Sequence, residues 1–135
     1  LYNLAAKDRI TAKILVDVIK SFDDPIRLYV PPNSKIATIA IKENVAVSHE
    51  VFIDRAYNDD FSLVSRGNPN AVLLEFDDIL EHTLRMIQHK KIKTITGNFL
   101  NIKAETYCIH GDHPNAISIL KGLKEALNKR NIFIA

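Results

Sequence analysis

The amino-acid sequence predicts an α/β fold with mostly parallel strands and a small β-hairpin. Short apolar runs, among them residues 28–30 and 107–109, alternate with segments of helical periodicity, and this alternation is typical of βαβ units. Parallel strands in such units are buried on both faces, which matches continuous apolar runs. The 135 residues are 47% apolar, which predicts a single domain over residues 1–135 with a hydrophobic core.

The first half of the chain is predicted to begin with a long amphipathic helix. Apolar residues from Ile10 to Phe22 recur at helical spacing, and Asp23-Asp24-Pro25 ends the pattern. The predicted elements are then, in order, a helix over 4–22, a strand over 26–30, a helix capped by Asn33 or Ser34 that reaches about residue 44, a strand over 45–48 that leads into residues 50–55, and a polar loop over 58–70.

The second half is predicted to contain two further helices and a hairpin. Asp78 and Glu81 have the spacing of a capping box, and an apolar stripe from Phe76 to Ile87 follows on a helix that ends near His89. The remaining predicted elements are a β-hairpin of 91–95 and 99–102, a strand over 106–109, a helix that starts near Pro114 with Ile117, Leu120, Leu123 and Leu127 on its apolar face, and a last strand over 132–135.

The composition excludes several classes of protein. Lys and Arg together number 18 against 16 for Asp and Glu, and a formal charge of +2 gives no field suited to a nucleic-acid partner. The apolar runs are short, so we expect neither a membrane-spanning helix nor a membrane partner. The single cysteine, Cys108, excludes an internal disulfide, and we expect a cytoplasmic location. Because the chain begins at Leu1 and not at methionine, we also expect an N-terminal part before it.

One candidate site is the run His110-Gly111-Asp112-His113, between a predicted strand and a predicted helix. Functional residues of parallel α/β proteins lie at the carboxyl ends of strands, and a helix start offers free N–H groups to an anion. His110 and Asp112 are therefore candidates for proton transfer or substrate orientation. In the structural alternative, Asp112 or His113 caps the helix and Gly111 turns the chain. The functional interpretation is favoured for His110 and the structural one for His113.

A second candidate site is the segment 50–55. In an extended strand Glu50 and Asp54 share one face, and Arg55 lies on the other. Buried charges are costly unless they are paired, so a structural ion pair and a functional site explain Asp54 and Arg55 equally well. In the loop that follows, Arg66 could bind a carboxylate through two hydrogen bonds, although a solvated arginine is the commoner case.

The sequence contains no pattern that indicates a metal site or a phosphate loop. His-x-His, His-Glu-x-x-His and paired cysteines are absent, and the four glycines are scattered, so we expect no metal site in this chain. His82 and His89 are placed on the charged side of a helix, where a structural interpretation suffices.

Several motifs, taken in order, resemble the LamB/YcsF family. They are Leu1-Tyr2-Asn3, Glu50-Val51-Phe52-Ile53-Asp54-Arg55-Ala56-Tyr57, Ser62-Leu63-Val64-Ser65-Arg66, Leu84-Arg85-Met86 and Cys108-Ile109-His110-Gly111-Asp112. The resemblance covers essentially the whole chain. It implies that this chain is the C-terminal half of a distorted β/α barrel of the glycoside hydrolase/deacetylase type, and that the N-terminal half lies upstream.

The resemblance also implies an activity. In this family the A component of an ATP-dependent 5-oxoprolinase, working with subunits B and C, opens the lactam ring of 5-oxoproline to glutamate while ATP is hydrolysed. The implied co-substrate is ATP, with or without Mg²⁺, and the implied small-molecule substrate is 5-oxoproline. The candidate residues then divide into catalytic positions, which are His110, Asp112 and Asp54, and substrate-binding positions, which are Arg55, Arg66, Glu50 and Tyr2.

Three positions depart from the family pattern. Ile53 stands where alanine is usual, and Phe61 stands where a glycine usually follows the acidic pair. The turn Val30-Pro31-Pro32-Asn33-Ser34 replaces a small loop that contains glycine. The turn lies at a predicted strand end, so it bears on substrate recognition.

Two other hypotheses stay open. One keeps the barrel but assigns a metal-dependent carbohydrate deacetylase or a related hydrolase, in which the missing half supplies further ligands. The other is a binding or assembly subunit that is truncated and inactive. A half-barrel is also expected to leave apolar edges uncovered, which predicts homo-oligomers or aggregation and an inactive fragment.

Overall fold

The computed structural model describes residues 1–134, and its chain begins with two helices where one was predicted over 4–22. Helix α1 spans Tyr2–Lys7 and helix α2 spans Arg9–Lys20, so the single-helix prediction is wrong. Asp8 causes the break: its backbone is extended, and its carboxylate accepts a hydrogen bond from the Thr11 N–H at 2.6 Å. An aspartate that caps a free N–H in this way starts a new helix.

The remaining elements alternate between strands and helices, which confirms the α/β class. They are β1 (Leu28–Val30), α3 (Lys35–Lys42), β2 (Val47–Phe52), α4 (Phe76–His89), β3 (Lys91–Lys93), β4 (Phe99–Asn101), β5 (Thr106–Cys108) and α5 (Ala116–Asn128). Ser34 caps α3 as predicted, because its Oγ accepts from the Ala37 N–H at 3.1 Å. The predicted last strand over 132–135 is wrong for residues 132–134, and Ala135 lies outside the described residues.

The strands form one open sheet and one hairpin. The sheet has the order β1-β2-β5, and β1 runs parallel to β2 with Leu28 opposite Val47. β3 and β4 pair antiparallel, with Lys93 opposite Phe99, which confirms the predicted hairpin. Gly97 adopts a φ of 91° in the hairpin turn, a conformation that favours glycine. Over residues 1–134 the sheet does not close into a barrel.

The chain divides into two compact units, and the first comprises residues 1–51 and 103–106. Helices α1, α2 and α3 pack together in it. Its core consists of small and branched side chains: Ala5, Ala12, Val16, Val30, Ile36, Ala37 and Ala40. β1 is not buried on both faces as predicted, because Tyr29 in its centre is 54% exposed.

The second unit comprises residues 52–102 and 107–134, and α4 packs there against β3 and α5. The predicted capping box is wrong, because α4 begins two residues before Asp78 and its N-cap, Glu75, makes no side-chain hydrogen bond. Asp77 and Asp78 lie instead in the first helical turn. Negative charges at this position interact favourably with the positive end of the helix dipole.

The buried face of helix α5 matches the predicted one in part. Leu123 and Leu127 are buried as predicted, together with Ile119, whereas Ile117 is 73% exposed and Leu120 is 49% exposed. Gly122 explains the choice of face: a Cβ added there would lie 2.7 Å from the Phe76 ring. The glycine lets α5 approach α4 closely, so the residues around it on the helix are the ones that become buried.

Phe61 adopts a left-handed backbone conformation, with a φ of 66°. A side chain in this region costs about 1–2 kcal/mol that glycine does not pay. We expect Phe61→Gly to be more stable than Phe61→Ala by about 1 kcal/mol, because both variants remove the ring and only alanine keeps a Cβ. Urea denaturation of the two variants measures this difference, and equal stabilities would contradict the strain.

Within residues 1–134, each helix is too short or too polar to span a bilayer.

Candidate functional site

The ends of β2 and β5 bring Asp54 and His110 together in the second unit. Each residue follows the last residue of its strand by two positions. The Ile53 N–H donates to the Cys108 carbonyl at 2.9 Å, which holds the two strand ends side by side. Asp54 is 1% exposed, so its carboxylate is fixed beneath the surface. The two segments predicted as separate candidate sites therefore form one site.

The Asp54 carboxylate holds both the backbone and the ring of His110. The His110 backbone N–H donates to Oδ2 at 3.2 Å, and Nδ1 lies 3.0 Å from Oδ1 and 2.9 Å from Oδ2. An ionised carboxylate only accepts hydrogen bonds, so Nδ1 carries the proton and Nε2 of the neutral ring carries a lone pair. Nε2 makes no hydrogen bond among residues 1–134, and the side chain is 25% exposed. In this tautomer Nε2 is left as a hydrogen-bond acceptor without a partner in the described part of the chain.

Phe52 fixes the plane of the His110 ring. The two rings stack with centroids 4.6 Å apart and an interplanar angle of 21°. Phe52 is itself 8% exposed, so the stack rests on a buried side chain. The imidazole is thus held by a carboxylate at one nitrogen and by an aromatic face, which is the preorganisation a proton-transfer group requires.

The sequence suggested that Asp112 orients His110. In the structure Asp112 pairs with Arg66 instead. The Arg66 guanidinium donates from Nη1 to Oδ2 at 2.7 Å and from Nη2 to Oδ1 at 3.3 Å. This hydrogen bond lowers the pKa of the Asp112 carboxyl and raises the pKa of Arg66. Both side chains are at least half exposed, so they form a charged pair at the surface of the unit.

Arg55 is buried and bonded to the backbone. Nε donates to the Ala71 carbonyl at 3.1 Å and Nη2 to the Val64 carbonyl at 2.7 Å. Burial lowers the pKa of the guanidinium, and the positive charge of Arg66 lowers it further. Of the two interpretations left open for Arg55, these contacts favour a structural one. The side chain connects the residues directly after β2 to the long loop of residues 58–75 before α4.

Glu50 and Tyr2 belong to the first unit. The Tyr2 hydroxyl donates to Oε2 of Glu50 at 3.1 Å, which links the start of α1 to β2. Their predicted role in substrate binding stays a prediction.

His113 has a structural environment. It is 5% exposed; its Nε2 donates to the Leu73 carbonyl at 2.9 Å, and Nδ1 accepts from the Asn115 N–H at 3.2 Å. Asn115 is the N-cap of α5, so Pro114 precedes the helix and Asp112 does not cap it. The structural interpretation of His113 is supported, whereas capping by Asp112 is wrong.

His82 is buried, whereas the sequence placed it on the charged side of a helix. It is 6% exposed and lies on the inner face of α4 with Ile79, Thr83 and Met86. Burial, aided by the positive charge of Arg85, lowers its pKa to about 4. The prediction failed because the apolar stripe from Phe76 to Ile87 does not coincide with the buried face of α4. The buried face is rotated about the helix axis, so that it includes His82 and Met86.

His82 gives the folded protein a specific pH dependence. Its pKa is about 6.5 when unfolded and about 4 when folded, so below pH 6.5 the unfolded chain binds a proton that the folded chain does not. We expect the free energy of unfolding to fall by about 2 kcal/mol from this group between about pH 7.5 and pH 5. Urea denaturation of wild type and His82→Leu at both pH values measures it. Parallel losses in the two proteins would contradict the burial of a neutral imidazole.

No group of three or more metal-ligating side chains occurs among residues 1–134. Sequence reasoning missed Phe52 and the link between Asp54 and His110. The signal was present, because both residues follow neighbouring strands and parallel strands place their carboxyl ends at one edge.

The site and the fold together define an α/β protein with a buried carboxylate and an oriented imidazole at the ends of adjacent strands. Comparison with known proteins extends this description. The LamB/YcsF family model matches residues 1–135. The chain therefore belongs to the LamB/YcsF family, as the motifs indicated.

Curated relatives align with all or nearly all of this chain. The A subunit of 5-oxoprolinase from Nitrobacter winogradskyi is 38% identical over 135 residues, which are 100% of this chain and 53% of that protein. The A subunit of 5-oxoprolinase from Pyrococcus horikoshii is 37% identical over 134 residues, which are 99% of this chain and 52% of that protein. The chain thus spans about half the length of the curated relatives it matches.

A solved structure has the same fold. The crystal structure of lactam utilization protein from Thermus thermophilus superposes with a TM-score of 0.87 at 29% identity, covering 98% of this chain and 53% of that one. The α/β class with a parallel sheet is therefore confirmed.

Proposed function

We propose that this chain is part of the A subunit of 5-oxoprolinase, which hydrolyses 5-oxo-L-proline to L-glutamate. The names of the relatives in Nitrobacter and Pyrococcus support the substrate. The observation that carries the chemistry is the geometry of His110, whose Nδ1 is bonded to Asp54 and whose Nε2 is left for a reacting group. Opening a lactam needs such a group, because water must lose a proton and the ring nitrogen must gain one.

His110 supplies both proton transfers in this proposal. Nε2 takes a proton from the attacking water, and the resulting imidazolium is stabilised by the buried Asp54 carboxylate. The same Nε2–H then gives the proton to the departing ring nitrogen as the C–N bond breaks. A five-membered amide is a poor electrophile, and phosphorylation of its carbonyl oxygen by ATP would make the ring carbon easier to attack. Loss of the ring nitrogen would then leave an acyl phosphate, and a second water would release phosphate and glutamate from it.

Arg66 is proposed to bind the carboxylate of 5-oxoproline. A guanidinium has five N–H donors, and Asp112 accepts from Nη1 and Nη2 on one edge. The pair orients the guanidinium, and its remaining donors suit a second carboxylate. Asp112 is accordingly proposed as a positioning residue for Arg66.

ATP hydrolysis and the assembly of subunits belong to the same proposal. The four glycines of the chain form no phosphate loop, so we propose that ATP turnover depends on subunits B and C. The single cysteine, which leaves no pair for an internal disulfide, supports a cytoplasmic location.

The test uses the complete protein mixed with subunits B and C. We expect glutamate and phosphate to appear together only when 5-oxoproline, ATP and all three subunits are present. Omission of each subunit in turn is the control. Hydrolysis of an acetylated sugar by the protein alone, with no glutamate from the full mixture, would favour the deacetylase hypothesis. Assembly with B and C without any turnover would favour a non-catalytic role.

A further inference from the structure

The orientation of the His110 imidazole depends on more than the Asp54 carboxylate. The distances from Nδ1 to the two carboxylate oxygens, 3.0 and 2.9 Å, fix the place of this nitrogen. A hydrogen bond at one nitrogen constrains the plane of the ring only weakly, and the lone pair of Nε2 lies in that plane. The stacked Phe52 ring, with its centroid 4.6 Å from that of the imidazole, supplies the missing constraint. The direction of the Nε2 lone pair therefore depends on where Phe52 is held.

Phe52 is held by the hydroxyl group of Tyr57. The Phe52 backbone N–H donates a hydrogen bond to Oη of Tyr57 at 2.8 Å. Phe52 is 8% exposed and Tyr57 is 4% exposed, so this hydrogen bond is shielded from water. A buried N–H that loses its acceptor is unfavourable, and the backbone would shift to find another one. The phenol oxygen thus fixes the backbone from which the Phe52 ring extends.

Tyr57 is a firm support because its own backbone is paired with two other segments. It forms short β-bridges with Leu63 in the long loop and with Thr94 directly after β3. Its carbonyl also accepts from the Ile95 N–H at 2.8 Å. Its ring lies against the buried imidazole of His82, with centroids 6.2 Å apart. The position of the Tyr57 hydroxyl is therefore set by the surrounding unit and not by β2 itself.

We propose that Tyr57 is a positioning residue for His110 and acts through Phe52. The inference deepens the proposed function, because it rests on the role of His110 as the base that takes a proton from water. The Tyr57 hydroxyl holds the Phe52 backbone, and the Phe52 ring holds the plane of the imidazole. The contribution is to kcat and not to substrate binding, since these contacts do not include the Arg66 guanidinium proposed to bind the substrate carboxylate.

Tyr57→Phe tests the proposal, because it removes the hydroxyl group and keeps the ring. In the complete protein with subunits B and C, we expect kcat for glutamate formation to fall about tenfold while KM for 5-oxoproline changes less than about twofold. Tyr107→Phe is the matched control. The hydroxyl group of Tyr107 makes no hydrogen bond among residues 1–134, although Tyr107 lies in β5 three positions before His110. We expect the control to change kcat less than about twofold.

A nuclear magnetic resonance measurement separates positioning from stability. Protons above an aromatic face are shielded by its ring current, so the stack predicts an upfield shift of the His110 ring C–H signals. The complete protein is labelled with ¹³C-histidine, and His110→Gln assigns the signals. Phe52→Leu is expected to abolish the upfield shift, Tyr57→Phe to remove at least half of it, and Tyr107→Phe to keep it. A loss of stability lowers the folded fraction but does not move the signals of the folded protein.

An unchanged His110 shift or an unchanged kcat in Tyr57→Phe would overturn the proposal, and so would equal effects of Tyr57→Phe and Tyr107→Phe. A higher KM with a normal kcat would also overturn it, because it would place Tyr57 in substrate binding. A wild-type kcat in His110→Gln would contradict the proposed function instead. The His110 shift would then still decide whether Tyr57 fixes the imidazole plane, so the two failures are distinguishable.

Discussion

Asp54→Asn is expected to lower kcat for glutamate formation by about 10³. The amide side chain keeps the size of the carboxylate, but its NH₂ group faces Nδ1 of His110 and favours the tautomer with the proton on Nε2. An Nε2 that carries a proton cannot accept one from water. The measurement is steady-state kinetics of the complete protein with subunits B and C, with circular dichroism as the check on folding.

Asp112→Asn provides the contrast. Asp112 is exposed and bonds Arg66 and not His110, so its loss is expected to raise KM for 5-oxoproline and to change kcat by less than about threefold. A fall in kcat of about 10³ in Asp112→Asn, with a normal kcat in Asp54→Asn, would show that Asp112 and not Asp54 orients the His110 imidazole.

Arg55→Met is expected to lower the free energy of unfolding by about 3 kcal/mol. The substitution keeps an unbranched chain in the same space but removes the donor of the buried Val64 carbonyl. It also removes one of the two donors of the Ala71 carbonyl, which still accepts from the Ala56 N–H. Both carbonyls belong to the long loop, so the loss should also loosen the segment that carries Arg66. Urea denaturation at neutral pH measures the change.

Arg66→Met is the matched control for the buried arginine. Its guanidinium is half exposed, and an exposed ion pair contributes about 0–1 kcal/mol. Equal losses in the two variants would show that Arg55 does not support the loop.

Much of the fold could be predicted from the sequence because local chemistry dictates it. The alternation of strands and helices, the Ser34 cap and the hairpin around Gly97 all follow from residue types at fixed spacing. Asp8 shows where that approach failed. Its flanking residues continue the helical pattern, and only the hydrogen bond from Thr11 shows that a new helix starts there.

The candidate site was predicted in its parts and not in its connections. His110 and Asp54 were both selected, but Asp112 was expected to orient the imidazole because it is near in sequence. The true partner lies 56 positions away and comes close only because β2 and β5 end at one edge of the sheet. The same limitation applies to His82, whose burial depends on which face of α4 packs.

The central claim is that His110 and Asp54 act as one proton-transfer unit. A double-variant cycle in the reconstituted assembly tests it most directly, with kcat for glutamate formation measured for His110→Gln, Asp54→Asn and the combination. The account predicts that each single variant loses about 10³ in kcat and that the double variant is at most about threefold slower than His110→Gln. Losses that multiply in the double variant, or a wild-type kcat in His110→Gln, would contradict the claim.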